Sequence, residues 1–335
     1  MKGQNNLNPL ISVIMPVHNG SEFLNEVIPS IINQTYTNFE LLIFDDCSSD
    51  NSIEIIENFK DKRIKLFKGE KNIGYVKGLN FLISQSEGEF IARNDQDDIS
   101  LPLRFEIQIK TLVNNTDVGV CGTQIETFGK YSKKISYPVK DSDIKAMLIF
   151  NVGFHHPTVI FRKKLCDDFD INFYDEKYLP SEDYKLWTVL AKRTNFINTN
   201  IILLKYRIHS SNFSSLKIEN QKLNNLKIRE HYLKTFLGLS LNENQNFLIN
   251  KIIYNESISF KDLKSIRLLF YEIYNLSNDI KEKRSIKTTL SFFWMKACFL
   301  NFKNFKHFSL LFLFLNFNLF SIELFLKKYY LKKIL

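Results

Sequence analysis

Cysteine is scarce: Cys47, Cys121, Cys166 and Cys298 lie far apart and include no Cys-x-x-Cys pair. That spacing indicates neither a disulfide framework nor a zinc site, and a reducing compartment is expected. Long apolar runs are missing from the N-terminal region. Residues 1–9 are mostly polar, and the apolar run Leu10–Met15 is too short for a signal-peptide core or a membrane span, so a cytoplasmic location is expected. Proline stops at Pro180, and beyond about Leu216 the one glycine is Gly238. A uniform excess of one charge is also missing. The net +9 is concentrated in residues 281–335, where eleven Lys and Arg face only Glu282 and Glu323, so the rest sums to about zero. A basic nucleic-acid-binding domain is thereby excluded, and no nucleic-acid partner is expected.

What is present is a chain of 335 residues, long enough to bury a large core. Its first half alternates β-rich runs with amphipathic stretches, the pattern of an α/β sheet built from crossover units. Ile11–Met15, Phe39–Phe44, Arg63–Phe67, Glu89–Arg93 and Val118–Ile125 read as strands. Ser21–Gln34, Ser52–Phe59, Tyr75–Ser84 and Leu103–Leu112 read as helices, several with Ser, Asp or Asn caps. From about Leu216 an Asn-, Lys- and Leu-rich sequence predicts a second, helical region. Two domains are expected, residues 1–215 and 216–335.

Ligands of such sheets gather beyond the carboxyl ends of the strands, and acidic clusters stand there. Asp45-Asp46 ends the second run and Asp95-Gln96-Asp97-Asp98 the fourth. Three carboxylates within four residues repel one another unless a cation joins them, and a hard divalent ion accepts such oxygen ligands. A solvated acidic turn capping the next helix is the alternative reading. Likewise Ser181-Glu182-Asp183 is either a catalytic pair or an acidic first turn that complements a helix dipole.

These motifs occur with others in a fixed order: Pro16-Val17-His18-Asn19-Gly20, Asp45-Asp46, Asn72-Ile73-Gly74, Gly88-Glu89-Phe90, Asp95-Gln96-Asp97-Asp98 and Ser181-Glu182-Asp183-Tyr184. The ordered set, over residues 10–212, resembles the family 2 glycosyltransferases. The resemblance implies a GT-A nucleotide-diphospho-sugar transferase fold, a Rossmann-like mixed sheet flanked by helices, followed here by the helical region. It implies that Pro16, Val17, His18, Asn19 and Asp46 hold the nucleobase of a UDP-sugar donor, a carboxylate being able to accept the imide N–H of uracil. Asp45 would shape the turn. Asp97 would contact Mn²⁺ or Mg²⁺, Asp95 the metal, its water or the ribose, and Asp98 would cap a helix. Of the Glu182–Asp183 pair, the Asp would be the general base that takes a proton from the acceptor hydroxyl. In Tyr206-Arg207-Ile208-His209, His209 would complete the metal shell and Arg207 face the diphosphate. The adjacent His155 and His156 point to opposite faces of an extended segment, so acceptor or donor contact, or packing, is expected rather than joint metal binding. Lys77 and Asn80 would approach ribose or phosphate, or else solvent.

The implied activity is inverting transfer of a hexose or N-acetylhexosamine to a glycan or glycolipid hydroxyl of the lipooligosaccharide, O-antigen or capsule type. A Gln-x-x-Arg-Trp segment is absent, which argues for adding one or a few sugars rather than extruding a polymer. Two rivals are a catalytically silent nucleotide-sugar-binding scaffold and a sugar nucleotidyltransferase. The Gly-rich, basic N-terminal loop of the latter is missing after Met15. The tail places Phe299, Phe302, Phe305 and Phe308 among Lys296, Lys303 and Lys306. Such a sequence suits a peripheral helix on an anionic membrane, here the cytoplasmic face of the inner membrane. A packed core helix, a homo-oligomer interface or a span are its alternatives.

Overall fold

A computed structural model describes residues 8–167, 172–209, 218–277 and 279–302. The chain divides into two compact units, residues 1–141 with 153–224 and residues 142–152 with 225–335.

The first unit is built on a mixed sheet. In chain order its elements are β1 (Ile11–Val17), α1 (Ser21–Ile32), β2 (Phe39–Asp45), α2 (Ser52–Asn58), β3 (Ile64–Lys68), α3 (Tyr75–Gln85), β4 (Phe90–Arg93), β5 (Ile99–Ser100), α4 (Arg104–Asn114), β6 (Val118–Gly129) and β7 (Lys133–Ile135). Then follow β8 (Ile160–Arg162), α6 (Glu182–Leu190) and β9 (Asn195–Ile208), while α5 (Asp141–Met147) belongs to the second unit from Ser142 onward. The strand order is β3-β2-β1-β4-β8-β6-β9-β5, with β7 beside β6. β1 to β4 run parallel, which requires the crossover helices. Every residue of β1 and β2 is buried, as expected of parallel strands covered on both faces. Gly88 permits β4 to start where it does: a Cβ there would lie 2.6 Å from the Ser12 nitrogen and 2.8 Å from the Leu10 oxygen.

Beyond β4 the sheet turns antiparallel through β8, whose register sets Ala92 opposite Ile160. This half is less regular than the first, with register shifts between β6 and β9. The helix starts also differ from the expected caps. Gly20, Asn51, Gly74 and Leu103 occupy the N-cap positions of α1 to α4, and none makes a side-chain cap bond. Instead Asp50 serves two helices from the intervening loop, accepting the Ser21 N–H at 3.0 Å and the Ser52 N–H at 3.0 Å.

The second unit contains α7 (Ile218–Leu237, from Asn225 onward), α8 (Glu243–Ile253), α9 (Phe260–Leu276) and α10 (Ile280–Phe302). Reciprocal capping boxes start two of them, Asn242 with Gln245 on α8 and Ser259 with Asp262 on α9. Gly238, at φ +70°, ends α7 in a conformation only glycine adopts freely. Phe150 stacks on Phe293 with ring centroids 4.0 Å apart and meets Phe270 edge-on at 5.6 Å. The described start of the expected membrane tail is core on one face: Phe293, Trp294, Ala297 and Leu300 are buried and Lys296 donates to the Ile253 carbonyl, whereas Phe299 is exposed. Phe305, Phe308, Lys303 and Lys306 lie outside the described residues. Among those residues no helix is long and apolar enough to cross a membrane.

Candidate active site

The site lies at the carboxyl ends of β1, β2 and β4 in the first unit. Pro16 and Val17 close β1, and the chain then turns through His18 and Asn19, the latter at φ 51°. This turn is held from several sides. Gln96 accepts the His18 N–H at 2.9 Å and donates to the His18 oxygen at 3.2 Å. Asn19 receives the Ser49 N–H at 2.8 Å and gives its own N–H to Ser48 Oγ at 2.9 Å. The His18 ring sits 2.9 Å from the Asp46 carbonyl oxygen.

Asp46 is buried, and its two carboxylate oxygens accept the Ile73 N–H at 2.7 Å and the Gly74 N–H at 2.9 Å. Gly74 needs its φ of +90° for that loop. Asp46 therefore ties the Asn72–Gly74 loop to the end of β2, a connection invisible in the sequence. Asp45 accepts the Ser48 N–H at 3.0 Å and does shape its turn.

After β4, one donor atom from each of Asp95, Asp97 and Asp98 lies within 4.8 Å of the others. Burial, then the charge of Asp95, raises the Asp97 carboxyl above its usual range despite the His209 imidazole, whose Nε2 is 2.8 Å from Asp97 Oδ2. Asp98 is raised well above it, by burial first and then by Asp97 and Asp95. Asp98 is not a helix cap: it is fully buried, accepts the Arg207 N–H at 3.0 Å, and its Oδ2 is buried without a partner. Three crowded oxygen donors and an orphaned carboxylate oxygen fit a hard divalent cation, which would relieve both the repulsion and the missing contact. Arg207, expected to face the diphosphate, is engaged by protein groups. Its guanidinium donates to the Asp97 carbonyl at 2.9 Å and to Glu26 at 2.6 Å, bracing the loop from outside.

Two buried arginines, not singled out in the sequence, support this loop from inside. Arg93 pairs with Asp95 and lies 5.6 Å over the Tyr75 ring. Burial opposes its charge, but Asp95, Tyr75 and Tyr174 together outweigh that and keep it protonated. Arg104, on α4, donates to the Arg93 oxygen at 2.6 Å, to Asn94 at 2.9 Å and to Ser100 at 2.8 Å. Burial pushes its pKa down to about 9.

Glu182 and Asp183 begin α6. Glu182 is buried, and burial with the adjacent Asp183 charge raises it to about 7. Asp183 keeps partial exposure; desolvation, against hydrogen bonds from Tyr184 and its own backbone, raises it to about 6. Arg93 acts electrostatically on both, and Asp95 acts on Asp183, so the acidic cluster and the pair belong to one electrostatic neighbourhood. His155 and His156 diverge as expected. His155 contacts Tyr137 at 3.1 Å and burial lowers it to about 4, whereas His156 contacts Tyr174 at 3.0 Å. Lys77 pairs with Glu176 at 3.2 Å, and Asn80 bonds the Tyr174 backbone at 2.8 and 2.9 Å, so neither reaches toward the acidic cluster.

The model of glycosyl transferase family 2 matches residues 12–168. An uncharacterized glycosyltransferase of Haemophilus influenzae is 30% identical over 291 residues, spanning 83% of this chain and 84% of the relative. The Escherichia coli UDP-Glc:alpha-D-GlcNAc-diphosphoundecaprenol beta-1,3-glucosyltransferase WfgD is 34% identical over 216 residues, 64% of this chain and 83% of that protein. Among solved structures, Staphylococcus aureus TarS 1–349 in complex with UDP-GlcNAc superposes with a TM-score of 0.58 at 18% identity, covering 90% of this chain and 87% of that one. At such identity the likeness shows the fold alone, and that fold is GT-A.

Proposed function

We propose a reaction from the premise that this chain belongs to glycosyl transferase family 2 and is a glycosyltransferase. It moves a hexose or N-acetylhexosamine from a UDP-sugar to a hydroxyl of a glycan or glycolipid, with inversion at the anomeric carbon. Membership removes the silent-scaffold and nucleotidyltransferase readings. The observation that carries the stereochemical part is the partly exposed Asp183 carboxylate, which shares one electrostatic neighbourhood with the Asp95–Asp98 cluster. One accessible carboxylate opposite a leaving group is what a single displacement needs.

In this reading the Pro16–Asn19 turn and the Asp46-anchored loop receive the nucleotide. Asp95, Asp97 and His209, with the orphaned Asp98 oxygen beside them, would hold Mn²⁺ or Mg²⁺, which when bound would supply positive charge to the departing diphosphate. Asp98 and Arg207 keep that loop in place, and Asp183 accepts the acceptor's proton at a carboxylate oxygen. The name of the Escherichia coli relative favours an acceptor carried on a lipid diphosphate. The test is the anomeric configuration of the product. With an α-linked UDP-sugar, NMR should show a β linkage, and a retained α linkage would refute the single displacement.

A further inference from the structure

A chain of hydrogen bonds runs beside Asp183 that the reaction above leaves unused. Tyr75 opens α3 and Glu182 opens α6, 107 positions apart, yet the Tyr75 hydroxyl donates to Glu182 Oε1. The same hydroxyl lies 3.5 Å from His156 Nδ1, and His156 Nε2 lies 3.0 Å from the Tyr174 hydroxyl. Burial keeps His156 neutral, helped by the charge of Arg93, so its ring has one N–H to give. One assignment is consistent along the chain: Tyr174 donates to His156, His156 to Tyr75, and Tyr75 to Glu182 Oε1.

We propose that Tyr75, Glu182 and His156 are positioning residues: together they form a polar latch between α3 and the first turn of α6 that fixes where the Asp183 carboxylate stands. Glu182 is poorly suited to be the base itself. It is only 4% exposed, and its remaining oxygen, Oε2, is buried without a partner, so an acceptor hydroxyl does not reach it unless α6 moves. Asp183 is the partly exposed member of the pair, but among the described residues its carboxylate bonds to backbone of its own turn, including the Tyr184 N–H at 2.7 Å. Its position is therefore inherited from the turn, and Glu182 is the neighbouring side chain that ties this turn to the donor-side helix. A displacement of about 1 Å in a reacting group can cost on the order of 100-fold in rate.

This inference rests on Asp183 as the base, and the experiment separates the two ideas. UDP release is measured with UDP-glucose, UDP-galactose and UDP-N-acetylglucosamine, the fastest donor being used throughout, and UDP affinity is measured by calorimetry. Tyr75→Phe removes one oxygen and keeps the ring. It should lower kcat about 10- to 100-fold while the donor KM and the UDP Kd stay within about twofold. Glu182→Gln, which retains an acceptor for Tyr75, should keep at least about tenfold more kcat than Glu182→Leu. Should the Leu variant not fold, a cycle of Tyr75→Phe, Glu182→Gln and the double variant replaces it, and strict additivity there counts against the latch. A kcat within twofold of wild type for Tyr75→Phe, or a loss confined to donor KM, overturns the latch. Wild-type turnover by Asp183→Asn overturns the base assignment instead.

Discussion

As the proposed base, Asp183 has to be ionised to accept a proton, and its surroundings work against charge. Burial lifts its carboxyl to about 6, so kcat/KM should fall tenfold per pH unit below about pH 6 and level off above it. Asp183→Asn should lose about 10²- to 10⁴-fold in turnover and leave UDP binding intact, read by initial rates and calorimetry. The same shift predicts a gain in stability. An acid whose folded pKa is raised costs stability once pH exceeds its unfolded value near 4, so Asp183→Asn should melt higher than wild type at pH 7.5. Asp46 has a different character. Because its carboxylate anchors Ile73 and Gly74, Asp46→Ala should weaken UDP binding about tenfold or more while changing kcat less. The acidic residues of the site were legible because each follows a strand or opens a helix in a recognisable string. Gln96 and Tyr75 were not, since their partners come from elements distant in sequence, and Arg93 and Arg104 were not, since a local string does not reveal that an arginine is buried.

At the level of elements, Asp50 shows how capping can be supplied from outside. Burial disfavours its charge, but hydrogen bonds from Ser52 and Ser21 outweigh that and bring its pKa to about 2. Asp50→Ala should cost about 2 kcal/mol in urea unfolding at neutral pH, since two helix starts lose an acceptor together. The sign follows from the depressed pKa: the contribution is full above about pH 4 and vanishes as pH falls through about 2, where wild type and variant should converge. The parallel strands were readable because continuous burial leaves continuous apolar runs. β5, two residues long, and β9, whose pairing with β6 slips register, carry no such period and were not anticipated. Expected caps failed for a related reason, as local composition does not reveal that a loop side chain closes two helices.

For the whole molecule, the basic and aromatic residues past 302 are the part of the sequence reading that lies outside the described residues. If they contact anionic lipid, the full chain should float with phosphatidylglycerol vesicles at low salt and less so at 0.5 M NaCl, and a chain ending at Phe302 should not float. Co-sedimentation that ignores both salt and the deletion would remove this reading. The second unit sets its own condition, because Phe293 and Trp294 of α10 are core there and truncation before them should unfold it. One feature of the first unit bears on how the enzyme is made. The loop bearing Asp95, Asp97 and Asp98 is braced by late arrivals: Leu204 and Lys205 pair with β5, Arg207 holds Asp98 and Asp97, and His209 meets Asp97. A ribosome that has delivered only about the first hundred and fifty residues has delivered every carboxylate of that loop but none of these braces. Nascent chains should therefore stay inert until β9 has left the exit tunnel, and sugar nucleotide is spared from an unfinished catalyst.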